Sequence, residues 1–147
     1  MIIDGKKIAQ QMLKNIAAKV AKLPDPPGLA VILVGDDPAS EVYVRNKDNA
    51  CRAAGFHSEK INEPQAITQE QLLSEIQRLN NDDKIDGILV QLPLPKHLDA
   101  NLVIETISPF KDVDGFHSVN VGKLLQNKPF LRPCTPKGIM TLLASTG

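Results

Sequence analysis

Two long apolar runs constrain the fold of this chain more than any other feature. Residues 28–35 read Gly-Leu-Ala-Val-Ile-Leu-Val-Gly, and residues 85–92 contain Gly-Ile-Leu-Val and end before Pro93. Strands without polar alternation are buried on both faces, which is typical of parallel sheets. Pro93 and Pro95 cannot continue a central strand, so the second run must end there.

Amphipathic segments alternate with these runs. Between residues 4 and 23, Ile8, Met12, Ile16 and Val20 recur at every fourth position, which predicts a helix. Start and stop signals predict a short strand over 56–61 and further helices over 68–80, 99–107, 119–126 and 137–145. Residues 36–40 carry a helix start signal, an acidic cap before proline at the first helical position, and predict a helix that continues over 41–54. This order predicts an α/β fold of three layers, in which helices cover both faces of a mostly parallel sheet.

Composition narrows the classes of partner and compartment. The 147 residues include 17 basic and 17 acidic side chains, so net charge favours neither nucleic acid nor an anionic membrane. Cys51 and Cys134 are too far apart in sequence to indicate a disulfide framework or a zinc cluster. The histidines are equally scattered, so we expect no metal site. Without an apolar stretch of signal or membrane-span length, we expect a cytoplasmic protein.

Candidate site residues follow from the position of ligands in open α/β sheets, which bind beyond the carboxyl ends of the strands. Tyr43 and Lys47 come after the first apolar run and share one helix face, because they are four residues apart. Gln91 ends the later run, and Asp114 lies in a polar turn further along. A desolvated Lys47 can exchange protons near neutral pH, and the Asp114 carboxylate can accept two parallel hydrogen bonds from an amino-amide edge.

Each of these residues also has a structural interpretation that the sequence leaves open. Lys47 can be a solvated surface lysine, Tyr43 a packed aromatic residue, and Gln91 a partner of loop backbone. Asp112 and Asp114 can both serve turn geometry. The sequence contains no Gly-x-Gly-x-x-Gly, no Walker phosphate loop and no Gly-x-Ser-x-Gly, so no dinucleotide cradle or serine nucleophile is indicated.

Four longer motifs occur in a fixed order. They are Val-Gly-Asp-Asp-Pro-Ala-Ser at 34–40 with Tyr-Val-Arg-Asn-Lys at 43–47, Asp-Gly-Ile-Leu-Val-Gln-Leu-Pro-Leu-Pro at 86–95, Lys-Asp-Val-Asp-Gly-Phe at 111–116, and Pro-Cys-Thr-Pro-Lys-Gly at 133–138. Together these segments resemble the bifunctional methylenetetrahydrofolate dehydrogenase/cyclohydrolase family along almost the whole chain.

The resemblance implies an enzyme of one-carbon metabolism that acts on tetrahydrofolate derivatives. Such an enzyme oxidises 5,10-methylenetetrahydrofolate with NADP and hydrolyses the methenyl product to 10-formyltetrahydrofolate. By resemblance, Lys47 transfers protons in the hydrolysis, Gln91 hydrogen-bonds and tunes Lys47, Tyr43 stacks on the folate, and Asp114 binds the pterin edge. We expect a hydrogen bond from Gln91 to favour a neutral lysine. The substrate site is expected to include the neighbours of Gln91, which are Val90, Leu92 and Pro93.

The resemblance also implies a domain division. Residues 1–132 are expected to form the folate-binding catalytic domain, and residues 133–147 a connector and the first helix of an NADP-binding Rossmann domain that is otherwise missing from this chain. The intact protein is expected to be a homodimer, and this chain alone is not expected to transfer hydride. Two alternatives are a non-catalytic domain that binds a pterin-like ligand and an enzyme that uses Lys47 as a Schiff-base nucleophile.

Overall fold

A parallel three-stranded sheet forms the centre of the molecule. The computed structural model describes residues 2–146. Its strands are β1 (Gly28–Val34), β2 (His57–Glu63) and β3 (Gly87–Val90), and their order in the sheet is β2-β1-β3. Both pairings are parallel, with Gly28 opposite His57 and Leu29 opposite Gly87. Both apolar runs form strands of a parallel sheet, as predicted, and the structure places them side by side.

Helices cover both faces of this sheet. The described residues form the helices α1 (Gly5–Val20), α2 (Pro38–Ala53), α3 (Gln69–Asn80), α4 (Ala100–Thr106), α5 (Ser118–Leu125) and α6 (Cys134–Ala144). One face of β1 packs against α3 and α4 through a large buried cluster that includes Ile32, Leu72 and Val103. The opposite face packs against α2 through a smaller cluster that includes Val31 and Val44. The predicted three-layer α/β fold is confirmed.

Local sequence signals set the start of the helix that carries Lys47. The Asp37 carboxylate accepts a hydrogen bond from the Ser40 backbone N–H at 2.8 Å, and Pro38 occupies the first turn of α2. A side-chain cap satisfies one free backbone donor, and proline lacks the N–H that would otherwise be unpaired. Because α2 starts at this cap, its first turn lies close to the carboxyl end of β1.

Element boundaries differ from the predicted ones where backbone contacts override the pattern. β3 is shorter than the apolar run, because the Asp86 N–H donates to the Gly28 carbonyl and the Asp86 carboxylate accepts from the Gly28 N–H at the edge of the ladder. α2 starts at Pro38, as the acidic cap before proline predicts, whereas α6 starts at Cys134 rather than at residue 137. The first turn of a helix tolerates proline, so Pro136 does not delay α6.

The helices of residues 2–146 are all too short or too polar to span a bilayer.

Candidate active site

A direct hydrogen bond joins two of the predicted site residues. The Lys47 Nζ, in the third turn of α2, donates to the Gln91 Oε1 just after β3, at 3.0 Å. The Gln91 Nε2 donates to the Leu92 carbonyl at 2.7 Å. This second contact fixes the amide orientation, since the reverse orientation would oppose two oxygens. Gln91 therefore presents an acceptor to Lys47.

The direction of this bond corrects one expectation. The sequence interpretation had Gln91 donating a hydrogen bond that favours a neutral lysine, whereas Gln91 accepts from Lys47. A lysine donates in both its neutral and its charged form, so this contact orients the Nζ without requiring the neutral amine.

Lys47 and Asp114 line the same cavity, which has a volume of about 430 Å³. This volume lies within the range of small-molecule sites, roughly 300 to 1,000 Å³. Most of the wall is apolar and is formed by residues of α2, β1, β3 and the segment after α4, among them Leu29, Ala50, Phe56, Leu89 and Val113. Lys47, Asp86 and Asp114 supply the charged groups.

The environment of Asp114 disfavours the charged form of its carboxyl group relative to water. Burial raises the pKa of the Asp114 carboxyl above its usual range, Lys47 lowers it in part, and the nearby charge of Asp112 raises it further. A half-buried carboxylate of this kind gains from a ligand that supplies N–H donors.

The other predicted substrate residues have mixed positions. The Tyr43 side chain, one helical turn before Lys47, is 64% exposed, so its ring is free to contact a ligand. Leu92 is half-buried and Pro93 is exposed at the end of β3. The Val90 side chain instead packs in the core beneath α3 and α4 and does not line the cavity.

Asp112 and the histidines have structural roles. The buried Asp112 carboxylate accepts hydrogen bonds from the Gly115 and His117 backbone N–H groups and from the Asn120 Nδ2. The His117 Nδ1 accepts from the Val119 N–H at the start of α5, and the His97 Nε2 lies 2.9 Å from the Ile67 carbonyl oxygen. The turn interpretation is therefore right for Asp112, while the Asp114 side chain lines the cavity.

The cavity also contains residues that the sequence did not single out for the site. Its wall includes Gly28 and Gly87, where β1 and β3 begin, rather than residues beyond the carboxyl ends of these strands, and Tyr43 and Gln91 are not part of it. Cys51 lies four residues after Lys47, and this helical spacing is the signal that could have placed it on the same face. Phe56 and Cys134 reach the cavity through long-range packing, for which the sequence carries no local signal.

This arrangement combines an oriented amine, a neutral acceptor and a partly desolvated carboxylate around a largely apolar space. The carboxylate can accept N–H donors of a planar ligand, and the amine can transfer protons to or from an atom bound beside it. An apolar wall excludes water from most of the ligand surface and strengthens both interactions.

Comparisons with known proteins identify the family of this chain. Residues 3–114, which contain Tyr43, Lys47, Gln91 and Asp114, match the family model described as tetrahydrofolate dehydrogenase/cyclohydrolase, catalytic domain. The bifunctional protein FolD of Ruthia magnifica is 72% identical over 146 residues, which are 99% of this chain and 53% of that protein.

Solved structures give the same result. The crystal structure of the bifunctional FolD enzyme from Campylobacter jejuni superimposes with a TM-score of 0.97 at 43% identity and covers 99% of this chain and 53% of its own. The Trypanosoma brucei methylenetetrahydrofolate dehydrogenase-cyclohydrolase, solved with NADP cofactor and an inhibitor, has a TM-score of 0.95 at 37% identity and covers 100% of this chain and 52% of its own.

The chain thus spans about half the length of the relatives that it matches. The family model covers more than two thirds of the residues of this chain. The matched part includes the four candidate site residues Tyr43, Lys47, Gln91 and Asp114. The chain belongs to the tetrahydrofolate dehydrogenase/cyclohydrolase family.

Proposed function

We propose that the complete protein containing this chain oxidises 5,10-methylenetetrahydrofolate to 5,10-methenyltetrahydrofolate and hydrolyses the methenyl compound to 10-formyltetrahydrofolate. The observation that carries the proposal is the Lys47–Gln91 hydrogen bond beside a cavity that Lys47 shares with Asp114. Relatives with the same catalytic-domain pattern are bifunctional FolD proteins. The Schiff-base alternative has no comparable support.

The folate is proposed to bind with its pterin near Asp114 and its aromatic portion near Tyr43. The pterin amino-amide edge has two adjacent N–H donors, which suit a carboxylate whose oxygens are partly desolvated. The exposed Tyr43 ring can stack on the aromatic portion. Leu92 and Pro93 contribute side chains at the end of β3, and Val90 contributes backbone.

Lys47 is proposed to move protons during hydrolysis. Water adds to the methenyl carbon and loses a proton, which leaves a neutral intermediate with a hydroxyl group on that carbon. One carbon–nitrogen bond then breaks as its nitrogen gains a proton, and the hydroxyl group loses its own proton to become the formyl oxygen, so that one proton is released overall. A single amine beside that carbon can accept the first proton and deliver the second. Gln91 holds the Nζ in place during both transfers, since it accepts a hydrogen bond from either form of the amine.

NADP is proposed as the hydride acceptor of the complete protein, as in the Trypanosoma brucei relative solved with NADP. Within residues 2–146, the turn after each strand lacks the glycine-rich pattern that cradles a dinucleotide phosphate. These residues therefore do not fit the cofactor, and we assign its binding to the part of the protein outside this chain.

The domain division follows from the same reasoning. We propose that residues 1–132 form the catalytic domain and that residues 133–147 begin the NADP-binding domain. In support, no residue of α6 is fully buried within the described chain, and Ile139, Met140 and Leu143 are exposed. We also propose a homodimer in the cytoplasm, where the free thiols of Cys51 and Cys134 would stay reduced.

An assay of the complete protein tests this function. We expect 5,10-methylenetetrahydrofolate and NADP to yield NADPH, and 5,10-methenyltetrahydrofolate to lose its absorbance faster than in buffer. Replacement of NADP by NAD in a parallel assay defines the preferred dinucleotide. Tetrahydrofolate binding without either reaction would instead favour the non-catalytic binding domain, and absence of binding would contradict the proposal.

A further inference from the structure

The segment that carries Asp114 forms a closed arch. The Asp112 Oδ1 accepts from the Gly115 N–H at 3.0 Å, and the Asp112 Oδ2 accepts from the His117 N–H at 2.9 Å. Both donors follow Asp114 in the chain, whereas Asp112 precedes it. Asp114 therefore lies inside a loop that the Asp112 carboxylate closes.

A third donor ties this arch to α5. The Asn120 Nδ2 donates to the Asp112 Oδ2 at 2.9 Å and to the Pro109 carbonyl at 2.8 Å. Asn120 is 1% exposed and Asp112 is 3% exposed. Three N–H donors therefore surround the Asp112 carboxylate among its described hydrogen bonds.

The start of the arch is fixed to the sheet and to α3. The Ile88 N–H donates to the Lys111 carbonyl at 2.7 Å, and Ile88 pairs with Asp112 in a parallel bridge. The Lys111 Nζ donates to the Leu79 carbonyl at 3.0 Å and to the Asp82 carbonyl at 2.8 Å, at the end of α3. Lysine at a helix carboxyl end binds otherwise free carbonyls.

The end of the arch is fixed as well. Gly115 has a φ of 69°, and a Cβ at this position would approach the Pro133 nitrogen to 3.1 Å. The backbone on both sides of Asp114 is thus held. The Asp112 carboxylate connects the two sides through two hydrogen bonds, beside a longer bond of 3.3 Å from the Gly115 N–H to the Asp112 backbone carbonyl.

From this geometry we propose that Asp112 is a positioning residue, whose buried carboxylate holds the Asp114 carboxylate in the cavity beside Lys47. The inference rests on the proposed folate contact of Asp114 and extends it. Asp112 does not line the cavity, so it acts on the ligand only through Asp114. Displacement of a binding group by about 1 Å is enough to weaken its interaction strongly.

A double-mutant cycle in the complete protein tests the inference. The Kd of tetrahydrofolate is measured by calorimetry for the wild type, Asp112→Asn, Asp114→Asn and the double variant. We expect Asp112→Asn to raise the Kd by about 10-fold when Asp114 is present. In the Asp114→Asn background the same change should alter the Kd by less than about twofold, since coupled residues are not additive.

A matched control separates positioning from a general loss of stability. The Asp99 carboxylate also accepts two backbone N–H bonds, from Asn101 and Leu102, but it lies at the start of α4 and outside the cavity. Asp99→Asn should leave the Kd unchanged. If circular dichroism shows that Asp112→Asn does not fold, Asn120→Ala, which removes one donor to Asp112, replaces it in the cycle with the same criteria.

Equal losses of affinity in both backgrounds would mean that Asp112 has only a structural role, and an unchanged Kd would mean that it has none in binding. Either result overturns the inference while the proposed function stands. If Asp114→Asn itself leaves the Kd unchanged, the proposed folate contact is wrong, and the inference fails with it.

Discussion

Asp112 and Asp114 are two residues apart, yet their environments have little in common. Asp112 is buried among N–H donors, whereas Asp114 is half-buried on a cavity wall opposite Lys47. The pattern Lys-Asp-Val-Asp-Gly indicates a turn but does not say which carboxylate stabilises it. The spacing of Tyr43 and Lys47, by contrast, is sufficient to predict that they share a helix face. The direction of the Lys47–Gln91 bond depends on the Leu92 carbonyl and was not predictable.

Asp114→Asn should weaken folate binding and slightly stabilise the fold. Loss of a charge-assisted hydrogen-bond pair raises the Kd by about 10-fold or more. Because burial raises the pKa of Asp114 in the folded state, its charge costs stability above that pKa, and the cost disappears as the pH falls through it. Solvent screening keeps the gain small, with Tm higher by on the order of 1–3 °C near neutral pH.

Calorimetry and thermal unfolding at several pH values check this prediction. In the wild type, folate binding should weaken as the pH falls through the raised pKa of Asp114, and the Tm advantage of Asp114→Asn should shrink over the same interval. A variant that binds folate normally, or a Tm advantage that is constant with pH, would contradict it.

At the scale of single elements, capping signals predicted helix starts well. Asp37 caps α2 before Pro38, as predicted, and α3 begins directly after its cap Thr68, within one residue of the predicted start. The start of α6 was predicted too late, because the proline-rich stretch before it was interpreted as a connector. β3 was predicted too long. Ile85 and Leu92 fit the apolar pattern of a strand, but they lie outside the strand that the structure shows over Gly87–Val90.

Thr68→Ala should destabilise the protein without affecting the site. Thr68 and Gln71 form a reciprocal capping box at the start of α3, which buries Leu72, Ile76 and Leu79. Loss of the cap should lower the free energy of unfolding by about 1 kcal/mol. Ser74→Ala, an exposed change within α3, serves as the control and should be neutral or slightly stabilising. Denaturant unfolding measures both; equal stability of the two variants would show that the cap contributes nothing.

At the scale of the whole molecule, the order of strands and helices was enough to predict the layers, because each apolar run must be covered on both faces. The cavity was less predictable. Its wall joins Phe56, Val113 and Cys134, which are distant in sequence and meet only after the sheet and α6 are in place. Apolar side chains on α5 and α6, including Leu125 and Met140, stay exposed within the described chain.

The proposed mechanism depends on proton transfer by Lys47. Hydrolysis of 5,10-methenyltetrahydrofolate by the complete protein tests this role most directly. The measurement compares the wild type with Lys47→Met, which keeps the length of the side chain, and with Lys14→Met, an exposed change on α1. We predict that Lys47→Met lowers the rate of hydrolysis by about 10²- to 10⁴-fold while tetrahydrofolate still binds, and that Lys14→Met has no effect. Undiminished hydrolysis by Lys47→Met would show that the lysine does not transfer the proton and would contradict the proposed mechanism.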